Sequence, residues 1–152
     1  MTNDKPTLLA VSSTGGHWEQ LMLLSPAFEG SDTWYACTDG EQGKRHKLGQ
    51  FVAIKDYNQN QPLKMLAGLW ETFRLYRRVK PDVIISTGAA PGLLCLVWGR
   101  VFGAKTIWVD SVANSEQLSL SGRLALKVAT VVYTQWEHLG GTSAPVFRGS
   151  IL

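Results

Sequence analysis

The sequence predicts an α/β fold built on a doubly wound, mostly parallel sheet with helices on both faces. Short apolar runs typical of strands alternate with longer helical runs along the chain, and turn residues separate them. One run, at 82–87, is apolar almost throughout, as expected for a buried parallel strand. The chain has 152 residues, 45% of them hydrophobic. This length suits one compact domain and not two, so we expect a single domain over residues 1–152.

In the first half of the chain, the predicted strands are apolar runs that end at turn residues. Pro62 suits the first turn of a helix, because the N–H that proline lacks would have no partner there. The predicted elements are a strand at 7–12, a helix at about 17–28, strands at 33–38 and 51–54, and a helix at 62–79.

In the second half, the same alternation continues with shorter helices. Gly103 follows an apolar helical run and is suited to the left-handed position that ends a helix. The predicted elements are a strand at 82–87, a helix ending near 102, a strand at 105–110, a helix at about 118–129 and a strand at 130–135.

The loop after the first strand is a candidate binding site, because ligands of such sheets bind at the carboxyl ends of the strands. Its residues Thr14, Gly15 and Gly16 allow close approach to the free N–H groups of the next helix, which favours an anion. The spacing fits neither the dinucleotide fingerprint nor a P-loop. His17 follows at the positive end of the helix, which disfavours a protonated imidazole. A neutral His17 could act as a base or hydrogen-bond partner, or could only orient the turn.

Two further loops are expected at the same edge of the sheet. The second combines small residues with a proline and is suited to phosphate at a helix N-terminus. The third is polar and could bind sugar hydroxyls or supply a carboxylate base. Tight packing and an ordinary polar loop are the alternatives. The residues concerned are Thr87, Gly88, Ala89, Pro91 and Gly92 in the second loop, and Asp110, Ser111, Asn114 and Glu116 in the third.

Basic residues are concentrated in the middle of the chain. Residues 44–80 contain nine Lys and Arg against Asp56 and Glu71, which favours an anionic partner such as nucleic acid, a phosphorylated substrate or anionic lipid. The helix at 62–79 is either a sheet-covering helix with a solvated basic edge or a membrane-docking surface. Its apolar stripe is Leu66, Leu69, Trp70, Phe73 and Tyr76, and its basic residues are Arg74, Arg77 and Arg78.

We expect no metal and no cofactor, because the three histidines and two cysteines have no ligand spacing. No uncharged stretch reaches the length of a membrane span, so we expect a cytoplasmic protein with peripheral membrane contact at most. Apolar residues near the end predict either a docking surface for a partner or an edge strand of the same domain. They are Trp136, Leu139, Val146, Phe147, Ile151 and Leu152.

Several segments together resemble a known family. They are residues 13–17 (STGGH) with 19–21 (EQL), 85–92 (ISTGAAPG), 103–107 (GAKTI), Asp110-Ser111 and 134–137 (TQWE). This ordered set resembles the bacterial PssD/EpsE/CpsF-type polysaccharide biosynthesis glycosyltransferase subunits. These are similar to the acceptor-side, membrane-recruiting subunit of the eukaryotic Alg-type GlcNAc transferase, and to the N-terminal half of MurG.

The resemblance implies a Rossmann-like N-terminal half of a GT-B fold. It implies inverting transfer from a UDP-sugar to a polyprenyl-diphosphate-linked acceptor, with a PssE-like partner chain supplying the donor-binding C-terminal half. By the same resemblance, Gly15, Gly16 and His17 would meet the acceptor, and residues 88–92 would help to hold its diphosphate. It implies docking at the inner face of the cell membrane and no nucleic-acid partner.

The base that the chemistry needs is expected to be His17, with Asp110 and Glu116 as the next candidates. Two alternatives remain open at this point. One is a stand-alone nucleotide-binding, flavodoxin-like regulatory domain that uses Asp39 at the end of the second strand. The other is a scaffold that recruits a catalytic partner and contributes no chemistry.

Overall fold

The computed structural model describes residues 4–57 and 60–152, and these residues form a sheet of seven parallel strands. The strand order is β3-β2-β1-β4-β5-β6-β7. In chain order the elements are β1 (Thr7–Ser12), α1 (Gly16–Leu24), β2 (Asp32–Cys37), α2 (Gln42–Arg45), β3 (Phe51–Ala53), α3 (Pro62–Val79), β4 (Val83–Gly88), α4 (Ala90–Phe102), β5 (Lys105–Val109), α5 (Leu120–Val128), β6 (Val131–Thr134) and β7 (Val146–Phe147), with 3₁₀ turns at Ser25–Phe28 and Glu137–Leu139.

Both faces of the sheet are covered, so the predicted doubly wound α/β fold is confirmed. Successive residues of β1 point to opposite faces: Leu9 and Val11 pack in the core under α3, α4 and α5, whereas Leu8 and Ala10 pack in the core under α1. The strand alternation therefore divides one sheet into two hydrophobic layers.

The predicted strands and long helices lie within two residues of their observed positions, with one exception. The first helix was predicted to reach residue 28, but it ends at Leu24 and continues as a 3₁₀ turn. No start was predicted for α4. Gly103 ends α4 in the left-handed conformation, with φ of 85°, as predicted. The prediction lacked α2 and the second 3₁₀ turn. The final strand β7 pairs with β6, so the apolar end of the chain includes an edge strand of this sheet.

The strand order reverses between β1 and β4. β2 and β3 are added on one side of β1, whereas β4 to β7 follow on the other side. The loops that leave β1 and β4 therefore diverge to α1 and α4 and open a crevice at the carboxyl edge, which is where sheets of this type bind ligands.

Candidate functional site

His17 lies in this crevice, between the loops after β1 and β4. Its ring Nδ1 lies 2.9 Å from the carbonyl oxygen of Thr87. A carbonyl oxygen only accepts hydrogen bonds, so Nδ1 carries the proton and a neutral ring has its lone pair on Nε2. Nε2 takes part in no hydrogen bond among the described residues. His17 is thus oriented by the backbone and retains one free basic nitrogen.

Thr87 forms a second hydrogen bond with His17. Its hydroxyl donates a hydrogen bond of 2.6 Å to the carbonyl oxygen of His17. The side chain of Thr87 is 1% exposed, so it is enclosed beneath the crevice. The two residues form a reciprocal pair across the strand-order reversal. Thr87 was predicted as a ligand-binding residue, and the structure places its hydroxyl on the backbone of His17.

Glycine is required at Gly88 and Gly92 by the chain's own packing. Gly88 has a φ of 130°, and a Cβ there would lie 2.5 Å from the His17 ring. A Cβ at Gly92 would overlap the hydroxyl of Ser86. Pro91 and Gly92 are buried, and Ala89 is half-buried. The packing alternative therefore accounts for both glycines of the second loop.

The first loop is open to solvent. Thr14, Gly15 and Gly16 are exposed, and the Thr14 N–H donates to the hydroxyl of Thr38 at 2.9 Å. Gly15 has a φ of 77°, which favours glycine. Gly16 begins α1 outside that left-handed region, and a Cβ there would meet nothing within 4 Å. Neither backbone conformation nor packing explains glycine at this position, so room for a ligand remains as a reason.

Asp110 is fully occupied in holding the third loop. Its carboxylate accepts hydrogen bonds from Trp108 Nε1 at 2.9 Å, Asn114 Nδ2 at 3.2 Å, and the backbone and hydroxyl of Ser119 at 2.9 and 2.6 Å. Asp110 is 2% exposed. Ser119 in turn caps α5 by accepting from the Gly122 N–H. This geometry gives Asp110 and Asn114 a structural task. Glu116, in the same loop, is exposed.

A buried amide pair that the sequence reasoning missed joins this loop to the rest of the site. Gln135 Nε2 donates to Gln20 Oε1 at 2.6 Å, and Gln20 Nε2 donates to Ser111 Oγ at 3.1 Å. The Gln135 carbonyl also accepts from the Ile151 N–H at 3.2 Å. Helix α1, the third loop and the C-terminal segment are therefore coupled. Both glutamines lie in segments that carry the family resemblance, 19–21 and 134–137, but nothing in those segments predicts that the two side chains meet.

Helix α3 covers the sheet with one side and exposes part of its apolar stripe on another. Its buried residues are Gly68, Thr72, Leu75 and Val79, and Leu75 and Val79 pack in the core of the sheet. Leu66 and Trp70 of the stripe are 63% and 62% exposed, so the sheet-covering alternative holds for the helix but not for these two residues. Leu69, Phe73 and Tyr76 are half-buried. Phe73 and Tyr76 stack on α4, where Trp98 also donates to the Leu69 carbonyl at 3.1 Å.

The basic residues of α3 extend from this apolar surface. Arg74, Arg77 and Arg78 are exposed, and the Arg78 guanidinium lies 5.2 Å from the centre of the Trp34 ring. None of the three forms an ion pair among residues 4–57 and 60–152. No helix in these ranges is long and apolar enough to cross a membrane.

One of the C-terminal apolar residues, Ile151, lines a groove on the α1 face of the sheet. The groove has a volume of about 240 Å³. The rest of its apolar lining comes from the end of α1 and from β4, β5 and β6. Trp136, Leu139 and Ile151 are half-buried, whereas Leu152 is 75% exposed.

The remaining polar groups near the edge have internal tasks. Asp39 accepts from the Glu41 N–H at 3.0 Å and from Gln42 Nε2 at 3.0 Å, and lies 3.7 Å from Arg45. No group of three or more His, Cys, Asp or Glu within the described part of the chain is placed to hold a metal. Burial raises the pKa of the Cys95 thiol to about 12 and also raises the pKa of Cys37.

The chain is similar to proteins of oligosaccharide biosynthesis. A family model described as "Oligosaccharide biosynthesis protein Alg14 like" matches residues 38–149. The chain is 22% identical to the UDP-N-acetylglucosamine transferase subunit ALG14 of Homo sapiens, over 88% of this chain and 76% of that protein.

Longer bacterial enzymes match over less than half of their length. The chain is 26% identical to a UDP-N-acetylglucosamine–N-acetylmuramyl-(pentapeptide) pyrophosphoryl-undecaprenol N-acetylglucosamine transferase of Bacillus thuringiensis, over 90% of this chain and 41% of the enzyme. The crystal structure of Acinetobacter baumannii MurG superposes with a TM-score of 0.76 and 15% identity, over 93% of this chain and 45% of MurG. The chain thus spans less than half of either enzyme, and the MurG likeness establishes a shared fold.

Proposed function

This chain belongs to the Alg14-like family of oligosaccharide biosynthesis proteins, and we propose that it is the acceptor-side subunit of a two-chain inverting glycosyltransferase. The pair transfers a sugar from a UDP-sugar to a polyprenyl-diphosphate-linked acceptor in exopolysaccharide or capsule synthesis. The names of its relatives make UDP-GlcNAc the first donor to test.

The observation that carries the proposal is the oriented His17 in an open crevice. Its Nδ1 is held by the Thr87 carbonyl, so Nε2 is the nitrogen that accepts a proton. In the proposed reaction, Nε2 takes the proton of the acceptor hydroxyl as this oxygen attacks the anomeric carbon of the donor. The bond between that carbon and the UDP oxygen breaks at the same time, and UDP leaves with its electron pair. Asp110 serves as a positioning residue for the third loop, because its oxygens already accept four hydrogen bonds. Glu116 remains an exposed second candidate for the base.

The acceptor diphosphate is proposed to lie against the first loop and the start of α4. The N-termini of α1 and α4 both open at the strand-order reversal, and the first N–H groups of a helix favour phosphate. Thr14, Gly15 and Gly16 are exposed there. Gly88, Ala89, Pro91 and Gly92 shape the opposite side. Ser111 is proposed to contact acceptor sugar hydroxyls, with Asn114 beside it.

The partner is proposed to be a PssE-like chain that supplies the donor-binding C-terminal half of a GT-B fold. The crevice is open to solvent at the exposed first loop, and a GT-B enzyme closes its site between two halves. The chain spans 45% of MurG, so the other half of such a site is proposed to come from the partner. The apolar groove beside Ile151 and the exposed Leu152 are the proposed docking surface.

The acceptor carries a polyprenyl chain, so the subunit is proposed to dock on the inner face of the cell membrane. Trp70 is 62% exposed beside Arg74, Arg77 and Arg78, which form no ion pair within residues 4–57 and 60–152. Exposed aromatic and basic side chains on one helix are suited to a membrane surface with anionic lipid.

The nucleotide-binding alternative has less support. The ribose-binding role needs a free carboxylate after β2, whereas Asp39 already accepts hydrogen bonds from the Glu41 N–H and the Gln42 side chain and lies near Arg45. The scaffold alternative predicts that replacing His17 leaves transfer unchanged, because a scaffold needs no base.

A variant series tests the chemical role directly. The chain and its partner are co-expressed, and sugar transfer from labelled UDP-GlcNAc to a polyprenyl-diphosphate acceptor is measured. His17→Ala should lower kcat by at least about a hundredfold, the usual contribution of a positioned base, while the melting temperature stays close to that of wild type. Full activity in this variant would remove His17 from the mechanism and favour the scaffold alternative.

A further inference from the structure

We infer that the groove between edge strand β3 and helix α3 is a binding pocket for the phosphate of an anionic lipid headgroup. The inference deepens the membrane docking proposed above and rests on it. The groove has a volume of about 500 Å³. Its polar and aromatic lining consists of Lys55, Tyr57, Trp70, Glu71, Arg74 and Arg78.

The groove carries a surplus of positive charge. Lys55, Arg74 and Arg78 face a single carboxylate, Glu71, which accepts a hydrogen bond of 3.3 Å from the backbone N–H of Lys55. None of the three cations has an ion-pair partner in residues 4–57 and 60–152. Arg78 is additionally held over the Trp34 ring. Guanidinium groups bind phosphate oxygens through paired, charge-assisted hydrogen bonds, so this arrangement favours a phosphate.

Tyr57 supplies an unused hydrogen-bond donor in the wall of the groove. The residue is 5% exposed, and its hydroxyl has no hydrogen-bond partner among the described residues. Its ring lies flat against α3 at Gly68, where a Cβ would come within 2.8 Å of the ring. An enclosed hydroxyl without a partner is unfavourable. The hydroxyl itself is enclosed, so the Tyr57 side chain has to turn toward the groove to donate to a phosphate oxygen bound there.

The surface beside the groove points to a lipid as the source of the phosphate. Trp70 lines the groove and also an apolar hollow formed with Leu66, Leu69, Phe73 and Trp98. Leu66 and Trp70 are more than 60% exposed. A phospholipid has a phosphate joined to acyl chains and would occupy both surfaces at once, whereas a soluble phosphate would use the groove alone.

Arg77 provides a matched control for the test. It is exposed on the same helix, next to Arg78, but does not line the groove. Binding of the full chain to phosphatidylcholine vesicles that contain phosphatidic acid is measured by co-sedimentation. Arg77→Gln should weaken binding roughly fivefold, which is the general effect of one basic residue near an anionic surface. Arg74→Gln and Arg78→Gln should each weaken it by more than about tenfold, because charge-assisted hydrogen bonds are also lost.

Tyr57→Phe tests the donor separately from charge. It should weaken binding by roughly threefold or more through loss of one hydrogen bond, while its melting temperature is no lower than that of wild type. Equal losses in the three arginine variants, or unchanged binding by Tyr57→Phe, would overturn the pocket. Glycerol 3-phosphate that binds alone as tightly as the vesicles do would overturn the lipid assignment.

The outcomes separate this inference from the proposed function. If wild type binds no anionic vesicle, the membrane part of the proposed function fails. If the wild type binds and the three arginine variants all lose the same amount of vesicle binding, the membrane docking stands and only the phosphate pocket is refuted. No donor, acceptor or partner is present in the assay, so its result is independent of transfer.

Discussion

Gly16→Ala should change stability and activity in opposite directions. Gly16 is the first residue of α1, its φ lies outside the left-handed region, and a Cβ would meet nothing within 4 Å. The substitution therefore introduces no strain and no clash within the chain. Alanine in place of glycine at such a helical position contributes about 0.5–1 kcal/mol to the free energy of unfolding. For a chain of this size the melting temperature should rise by about 1–4 °C.

The same methyl group projects into the space where the acceptor is proposed to approach the first loop. Transfer by the co-expressed pair should fall by at least about tenfold, because a displacement of about 1 Å in a reacting group can cost that much or more. Thermal unfolding of the purified chain and transfer kinetics of the pair are measured on the same preparations. Gly49→Ala is the control, because Gly49 is exposed, has no positive φ and has equally open surroundings away from the crevice.

The control should keep full transfer activity with unchanged or slightly higher stability. Full activity of Gly16→Ala would refute the reasoning, since it would show that nothing approaches the open side of this glycine. A lowered melting temperature would also contradict it, because the structure gives no internal reason for glycine there.

Three further predictions concern the packing of the site. Thr87→Val removes the hydroxyl that donates to the His17 carbonyl. The free energy of unfolding should fall by about 1 kcal/mol, and kcat should fall with little change in KM. A wild-type kcat in this variant would contradict a positioning role for Thr87. Asp110→Ala leaves the buried donors of Trp108 and Ser119 unpaired. The free energy of unfolding, measured by urea denaturation, should therefore fall by about 3 kcal/mol or more. A fall of less than about 1 kcal/mol would contradict the structural role of Asp110. Burial raises the pKa of the Cys37 and Cys95 thiols. Neither thiol should therefore react with a disulfide reagent at about pH 8 in the native protein, and both should react in urea. Rapid labelling of the native protein would contradict this prediction, because it would show that the thiols are accessible.

The strands were predictable because each is a short apolar run between turn residues. The parallel register alone then places the loops after β1, β4 and β5 at one edge of the sheet. The missed elements are short: α2 has four residues and the second 3₁₀ turn has three. Neither length completes a recognisable hydrophobic period, and β7 forms because β6 presents a free edge for pairing.

The candidate site was predictable as a region but not in its contacts. The sequence places His17 and Thr87 at strand ends, whereas their reciprocal hydrogen bonds depend on tertiary packing across 70 residues. Asp110 follows a strand, as a catalytic carboxylate would. Its carboxylate instead accepts hydrogen bonds from Ser119 at the start of α5. Gln20 and Gln135 meet across 115 residues, and amide side chains have no sequence pattern that identifies such pairs.

Helix α3 illustrates how packing can override a hydrophobic pattern. The apolar residues Leu66 and Trp70 predict the buried side, yet Gly68 and Thr72 lie there instead. Gly68 is required because the Tyr57 ring occupies the space of a side chain. Leu66 and Trp70, which are left exposed, support the proposed membrane surface.

The most direct test of the central claim is sugar transfer by reconstituted chains. This chain, its co-purifying partner and the mixture are each assayed with labelled UDP-GlcNAc and a polyprenyl-diphosphate acceptor. We predict that neither chain alone forms product and that the mixture does. Product formed by either chain alone at the rate of the mixture would contradict an active site that is shared between two halves.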